Sequence, residues 1–397
     1  MSQLIKKKDL YLNYIYEFIL SFNLTHLIWP TYLIIKGYSL IDVGVCESLF
    51  HVVSMLGEMP TGVISDLYGR RLSRLLGRIA NIVSIVLLVW GVNIWIIYLS
   101  FALTALSYNL ESGTDSAYVY DLLVEYNCEQ EFARVQGIRE VILQVAMLLA
   151  IYLGGLISKK SYDLTYMISI GVGILSIIVL LTMKEIKNKK YIKTNIINDM
   201  KNQWLTSYSL IKQDHYIILY IMCYALFSAS TATIYYHITN YWSELGIGID
   251  QISFYLSFEN IAGIIAGVLT YKVMKKFNQK QLLLYIPLCI IIGLLGVPFF
   301  PISIMSICFM AFFESMLYVS MSTFLNERVD SSCRATLLST MSMGYSLVMI
   351  IYFPIIGTIG HFLNLKIAFY VLIIMNIIVY TFYRKAILKE KLEDNVL

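Results

Sequence analysis

Acidic side chains recur within long apolar stretches of this sequence, where a charged group needs a specific reason to be present. Five of them could carry a proton or contact a small molecule: Glu17, Glu58, Glu111, Asp115 and Glu314. An acidic side chain costs at least about 2.5 kcal/mol at the centre of a bilayer. Carboxyl groups in a partly dry cavity can take up and release protons. We therefore interpret these five residues as candidates for proton coupling or substrate contact.

Two acidic positions are best understood from helical spacing. Glu111 and Asp115 are four residues apart, so a helix places them on one face. Their alternative role is a satisfied polar network between neighbouring helices.

Glu259 shares a helical stripe with Gly263 and Gly267. The glycines favour close helix packing, and the spacing assigns no role to Glu259.

A second set of residues forms a compact motif where one apolar stretch ends. It contains Gly62, Asp66, Gly69, Arg70 and Arg71. We expect Gly62 to admit a closely packed helix, because it has no side chain. The arginines could instead serve only to orient the protein, since basic residues next to a span fix its orientation in the membrane.

The composition indicates what class of protein must hold these residues in place. Of the 397 residues 58% are apolar and only 14% are charged, against about 45–50% and about 25% in soluble domains. This excludes a soluble enzyme, a secreted domain, a disordered chain and a nucleic-acid binder. Six scattered cysteines show no metal-ligand spacing, and no catalytic or nucleotide-binding motif is present. We therefore expect no enzyme, no cofactor and no metal site.

Twelve stretches are long enough to cross the hydrocarbon as helices, which takes about 20 residues each. Their predicted limits are 10–35, 41–66, 72–91, 95–123, 135–158, 164–183, 215–242, 250–273, 280–298, 302–328, 335–360 and 364–383. The first is interpreted as a span and not as a cleavable signal peptide, because it is too long and no cleavage site follows. The fold class is therefore all-α and integral to the membrane.

The basic residues give the orientation. Of 30 Lys and Arg residues, all except Lys36, Lys159, Lys160 and Lys366 fall on one side of these spans. Basic residues concentrate on the cytoplasmic side. We therefore predict a multi-pass protein of the cell (inner) membrane with both termini in the cytoplasm.

The chain divides into similar halves. We predict an N-terminal six-helix bundle over 1–183, a basic cytoplasmic linker over 184–212, a C-terminal six-helix bundle over 213–383 and a tail over 384–397. Glu111-Ser112 recurs as Glu314-Ser315 at an offset of about 203 residues, and Gly62 recurs as Gly267 at about 205. Similar offsets in corresponding spans indicate two parallel six-helix repeats.

These motifs resemble the major facilitator superfamily of secondary transporters. The stretch from Gly62 through Asp66 to Arg71 looks like its signature between spans 2 and 3. Glu58-Met-Pro60-Thr61-Gly62 and the span 4 run from Ser112 to Leu122 are similar to a bacterial efflux-type branch. The chain departs from the pattern where Tyr271 replaces the acid in the second repeat. It also lacks a clear proline–glycine antiporter signature in span 5.

The resemblance implies roles for the two sets of residues. Spans 1, 4, 7 and 10 line the central cavity in the family, so Glu17, Glu111, Asp115 and Glu314 would point inward. Asp66 would latch the two halves near the start of span 11, as part of a cytoplasmic gate. Asp121 would belong to the same gate and pair with Arg139 or Arg78. If unpaired, Arg78 would instead extend to the cytoplasmic surface.

The resulting functional hypothesis is secondary active transport by alternating access. We favour proton-coupled export of an amphipathic small molecule, such as an antibiotic or a peptide-like toxin, by a monomer. Import of a nutrient or metabolite by proton symport is the first alternative. A non-transporting membrane sensor or immunity protein on the same fold is the second. The 31 tyrosines suit a cationic or amphipathic substrate, or else reflect composition alone.

Overall fold

The computed structural model describes residues 8–185, 215–328 and 334–394, and helices dominate all three ranges. Most of the predicted linker lies outside the described residues. The α-helices within them are α1 (Lys8–Ser21), α2 (Trp29–Ile35), α3 (Leu40–Tyr68), α4 (Arg70–Trp90), α5 (Ile94–Glu125), α6 (Phe132–Ser158), α7 (Tyr162–Thr182), α8 (His215–Glu244), α9 (Ile249–Met274), α10 (Gln279–Gly296), α11 (Ile302–Glu327), α12 (Arg334–Phe362) and α13 (Leu365–Asp394).

Eleven helices in the described ranges, α3 to α13, are long and apolar enough to cross a membrane. They correspond to predicted spans 2 to 12. The last helix continues through most of the predicted tail, to Asp394. The chain is therefore all-α, and a twelve-span membrane fold accounts for its helices.

The prediction of one continuous helix over 10–35 is wrong, because the chain is interrupted between α1 and α2. Asn23 Oδ1 accepts hydrogen bonds from the backbone N–H and the hydroxyl of Thr25, at 3.1 and 2.9 Å. Such local bonds compete with helical hydrogen bonds. The interruption also admits α6, since a Cβ added at Gly154 would lie 2.2 Å from the carbonyl oxygen of Leu24.

The described residues fall into two compact units. The first unit contains those within Met1–Tyr32 and Leu49–Asn198, and the second contains those within Leu33–Ser48 and Asp199–Leu397. The division passes through α3. The domain limits predicted from the sequence stay predictions.

The two units repeat one pattern of helix packing. In the first, α1 packs on α6 and α7, and α4 packs on α5 and α7. In the second, α8 packs on α12 and α13, and α10 packs on α11 and α13. The helices of each unit are thus paired in the same order, which confirms two parallel six-helix repeats.

The glycines differ in how closely other helices approach them. A Cβ added at Gly62 or at Gly267 would meet no atom of the described residues within 4 Å, so the close helix expected at Gly62 stays a prediction. At Gly263 the added atom would lie 3.3 Å from Ser315 Oγ, where α9 packs on α11. Gly69 has φ 99° between α3 and α4, a left-handed conformation that favours glycine.

Candidate functional site

Five charged side chains are buried together in the first unit. Arg74, Glu17, Glu111, Arg139 and Arg78 are between 0% and 8% exposed. They come from α1, α4, α5 and α6, which the packing of the unit brings together. Buried charges are stable only when they are paired and hydrogen-bonded. The contacts of each carboxylate therefore decide what it can do.

Glu17 lies between two guanidinium groups. Its Oε1 is 3.5 Å from Arg74 Nη2, and its Oε2 is 3.4 Å from Arg139 Nη2. Arg74 also donates to Asn13 Oδ1 at 3.0 Å. The Arg74 guanidinium lies 5.0 Å from the ring centroid of Tyr16 and 4.8 Å from that of Tyr118. Glu17 is thus held as an ion-paired carboxylate inside the bundle.

Glu111 has a cation of its own. Arg78 Nε donates to Glu111 Oε1 at 2.5 Å, and the Tyr16 hydroxyl lies 2.8 Å from Oε2. Arg78 also reaches Ser107 Oγ at 3.5 Å. The expectation that Arg78 extends to the cytoplasmic surface is therefore wrong. A buried carboxylate on the adjacent helix stabilises the guanidinium where it lies.

The gating motif makes a separate set of contacts. Arg70 Nε is 3.5 Å from Asp121 Oδ2, so the predicted pairing of Asp121 with Arg139 or Arg78 is wrong. Arg70 also donates to Ser65 Oγ at 2.8 Å, and Arg71 donates to the Leu181 carbonyl at 2.8 Å. These contacts join α4 to α3, α5 and α7 at one end of the unit.

Three candidate residues are not part of either network as described. The side chains of Asp66 and Asp115 lie outside the described part of the structure, so the latch and the Glu111–Asp115 pair stay predictions. Glu58 lies in α3 and is exposed.

The second unit holds two carboxylates of a different kind, Glu259 of α9 and Glu314 of α11, which we call the acidic pair. The Ser228 hydroxyl of α8 donates to Glu314 Oε1 at 3.0 Å. Glu259 lies one helical turn before Gly263, where a Cβ would be 3.3 Å from the Oγ of Ser315, the residue next to Glu314. Glu259 Oε2 is shut off from solvent and has no hydrogen-bond partner among the described residues. No described Lys or Arg is within ion-pair distance of either glutamate.

Two tyrosines lie on the helices that meet at Glu314. Tyr224 is on α8, four residues before Ser228, and Tyr318 is on α11, four residues after Glu314. The rings of Tyr224 and Tyr318 are 6.2 Å apart, centroid to centroid. The site therefore combines two carboxyl groups with two tyrosine rings.

The spacing of the sequence assigns no role to Glu259, although the sequence contains a signal that points to one. Glu259 is an acidic residue within a span, one helical turn before Gly263. Gly263 marks the face of α9 that packs on α11. An acid on that face is directed towards the helix that carries Glu314.

Comparison with known proteins agrees with this architecture. Residues 12–310 match the family described as Major Facilitator Superfamily. The chain belongs to the major facilitator superfamily. This superfamily member is therefore a multi-pass membrane transporter.

Similar superfamily members include an uncharacterized MFS-type transporter, YxaM, of Bacillus subtilis (strain 168). It is 23% identical over 381 residues, which cover 90% of this chain and 91% of the relative. The crystal structure of the nucleoside transporter NupG matches with a TM-score of 0.82 at 11% identity, over 96% of this chain and 100% of that one. A D-xylose-proton symporter matches with a TM-score of 0.72 at 14% identity, over 94% and 96%. At these identities the solved structures show a shared fold.

Proposed function

We propose that this superfamily member moves a small organic solute across the cell membrane and couples that movement to protons at Glu314 and Glu259. The observation that carries the proposal is the acidic pair, which has no described basic partner. Two neighbouring carboxylates in a medium of low dielectric constant repel each other, and a shared proton removes the repulsion. Protonation at this place is therefore favourable and reversible.

The other buried carboxylates are less suited to this role. A proton added to Glu17 or Glu111 would leave a buried guanidinium without its counter-ion, which costs several kcal/mol. Their contacts instead favour a structural role that joins α1, α4, α5 and α6. This contrast supports the second unit as the place of proton uptake.

The proposed direction is outward. It rests on the efflux-type motifs around Glu58 and in the span that carries Asp115 and Asp121. The substrate would then be an antibiotic or a peptide-like toxin, moved by antiport. Inward symport of a nutrient is the alternative, and the fold shared with a D-xylose-proton symporter supports it. The proposed topology has both termini in the cytoplasm.

The test is accumulation in an efflux-deficient bacterium that expresses the protein. Ethidium, tetracycline, norfloxacin and bacitracin would each be measured with and without a protonophore. We expect lower accumulation of at least one compound, and we expect the protonophore or Glu314→Gln to abolish this effect. Glu244→Gln is the matched control, because Glu244 is exposed at the end of α8 in the same unit.

Each other outcome has a defined meaning. Higher accumulation that needs the proton gradient would replace export by import. Transport that neither the protonophore nor Glu314→Gln reduces would contradict proton coupling at the acidic pair. A phenotype that Glu314→Gln leaves intact, without any flux, would favour a sensor or immunity protein.

A further inference from the structure

We propose that the acidic pair and its tyrosines form a binding site for an organic cation, a solute with an ammonium or similar group. This inference rests on the proposed transport function and names its substrate class. The first argument is charge. Glu259 and Glu314 lie next to the point where α9 packs on α11, since a Cβ added at Gly263 would lie 3.3 Å from Ser315 Oγ. The described residues supply no cation to either carboxyl group.

The second argument is an unsatisfied oxygen. Glu259 Oε2 is inaccessible to solvent and accepts no hydrogen bond from the described residues, whereas Glu314 Oε1 accepts one from Ser228. A buried carboxylate oxygen without a hydrogen-bond donor destabilises the folded protein. A proton, or the positive charge of an organic cation, would compensate it. Among the described residues this oxygen is thus an acceptor without a partner.

The third argument is the aromatic surroundings. Tyr224 is buried one helical turn before Ser228, which donates to Glu314, and its ring centroid lies 6.2 Å from that of Tyr318, which is half-exposed. The face of an aromatic ring attracts a cation, most strongly when the cation is desolvated. Carboxylates with several aromatic faces suit a bulky organic cation. A metal ion fits less well, since the described residues contain no group of three His, Cys, Asp or Glu that could hold one.

The fourth argument comes from the internal repeat. Glu111 in the first unit corresponds to Glu314 in the second, at the offset of 203 residues. Glu111 is hydrogen-bonded to Tyr16 and paired with Arg78 of α4. The counterpart of α4 is α10, whose only basic residue, Lys280, lies at its start. Among the described residues, the first unit therefore pairs its glutamate with a cation and the second unit does not.

Proton and solute would then compete for one site. With both groups ionised the acidic pair carries two negative charges, so one shared proton leaves a single negative charge. A second proton or a bound monovalent cation would neutralise that last charge, and the pair has no charge left for both. Binding of the cation would therefore displace the second proton. This exclusion is the physical basis of exchange, and it predicts cation binding that weakens as the pH falls.

The experiment measures binding of radiolabelled tetraphenylphosphonium to the purified full-length protein in detergent. Tetraphenylborate is the matched probe, because it has nearly the same size and the opposite charge. We expect the phosphonium to bind, the borate not to bind, and phosphonium affinity to fall as the pH is lowered. Calorimetry in buffers of different ionisation enthalpy would detect the released proton.

Variants assign the site. Glu259→Gln and Glu314→Gln should each weaken phosphonium binding by about 30-fold or more. Glu244→Gln should not change it. Tyr224→Leu should weaken binding by about threefold to tenfold, and Tyr224→Phe should restore it, because the ring and not the hydroxyl attracts the cation. Monodisperse elution on gel filtration would establish that each variant is folded.

Failure of this inference is distinct from failure of the proposed function. Equal binding of both probes, or binding that both glutamine variants retain, would overturn the cation site. If a neutral or anionic compound still shows protonophore-sensitive accumulation in the same cells, the proposed proton-coupled transport stands and only the cation site fails. If cation binding depends on both glutamates but no flux depends on the proton gradient, the site stands and proton coupling fails.

Discussion

Replacement of Arg78 by methionine tests whether the buried charges of the first unit are structural. In the folded protein Arg78 Nε is 2.5 Å from Glu111 Oε1, and the two residues are 8% and 6% exposed. Arg78→Met keeps most of the side-chain volume but removes the charge. The Glu111 carboxylate would then be buried with the Tyr16 hydroxyl as its remaining described partner.

The size of the effect follows from this burial. Removal of one partner from a buried ion pair costs about 3–5 kcal/mol, because the other charge is left uncompensated. For folded units of 150–250 residues, each kcal/mol lowers the Tm by about 2–4 °C. We therefore expect Arg78→Met to lower the Tm by about 6–20 °C. The double variant Arg78→Met/Glu111→Gln should be more stable than Arg78→Met alone, because no unpaired charge remains.

The assay is thermal unfolding in detergent, followed by intrinsic tryptophan fluorescence. Trp29 reports on the first unit, because its ring lies 5.0 Å from that of Phe101 of α5. Glu125→Gln is the control, since Glu125 pairs with Lys184 at an exposed position where ion pairs contribute little. A double variant that is as unstable as Arg78→Met, or less stable, would refute the reasoning.

Three further predictions concern packing, the broken first helix and pH. Gly154→Ala should lower the Tm, because the new Cβ would overlap the backbone of the break between α1 and α2, whereas Gly137→Ala in the same helix should not, since nothing lies within 4 Å of it. Asn23→Ala should cost about 0.5–2 kcal/mol of stability by analogy with a lost helix cap, and Asn23→Asp should retain most of it in the same melt. Burial, and then a hydrogen bond to Asp9, raise the pKa of Tyr126 to about 12. Since the folded pKa exceeds the ordinary tyrosine value of 10.0, the contribution of Tyr126 to stability is complete below about pH 10 and is lost as the pH rises towards about 12. Tyr126→Phe should therefore flatten the alkaline part of a curve of Tm against pH.

The helices could be predicted from the sequence because apolar length decides them. Spans 2 to 12 match α3 to α13 because each needs about 20 apolar residues and polar turns separate them. The first span could not be resolved in this way. Hydropathy is averaged over a window of residues. The interruption instead involves a hydrogen bond from the Thr25 hydroxyl to the Asn23 side chain and the close approach of Gly154 to the backbone of Leu24. Such contacts are local or tertiary, and an average does not contain them.

The partners of the charged residues could not be read from spacing. Arg78 and Glu111 are 33 positions apart, and Arg74 and Glu17 are further apart still. Orientation rules place arginines near the cytoplasm but do not say which acid lies on the facing helix. For this reason Arg78 was expected at the surface and Asp121 was given the wrong partner. The burial that makes these pairs strong is itself a product of the tertiary packing.

The internal repeat relates the paired glutamate of the first unit to the acidic pair of the second. Each unit carries a glutamate at the corresponding place of the internal repeat, Glu111 on α5 and Glu314 on α11. In the first unit Arg78 of the chain itself pairs with Glu111, so this charge stabilises the bundle. In the second unit the described hydrogen-bond partner of Glu314 is Ser228, and on the proposal above its charge is neutralised by a proton or solute that binds and leaves. A carboxylate that is permanently paired cannot exchange its partner during a transport cycle, which is why the proposal assigns the exchange to the second unit.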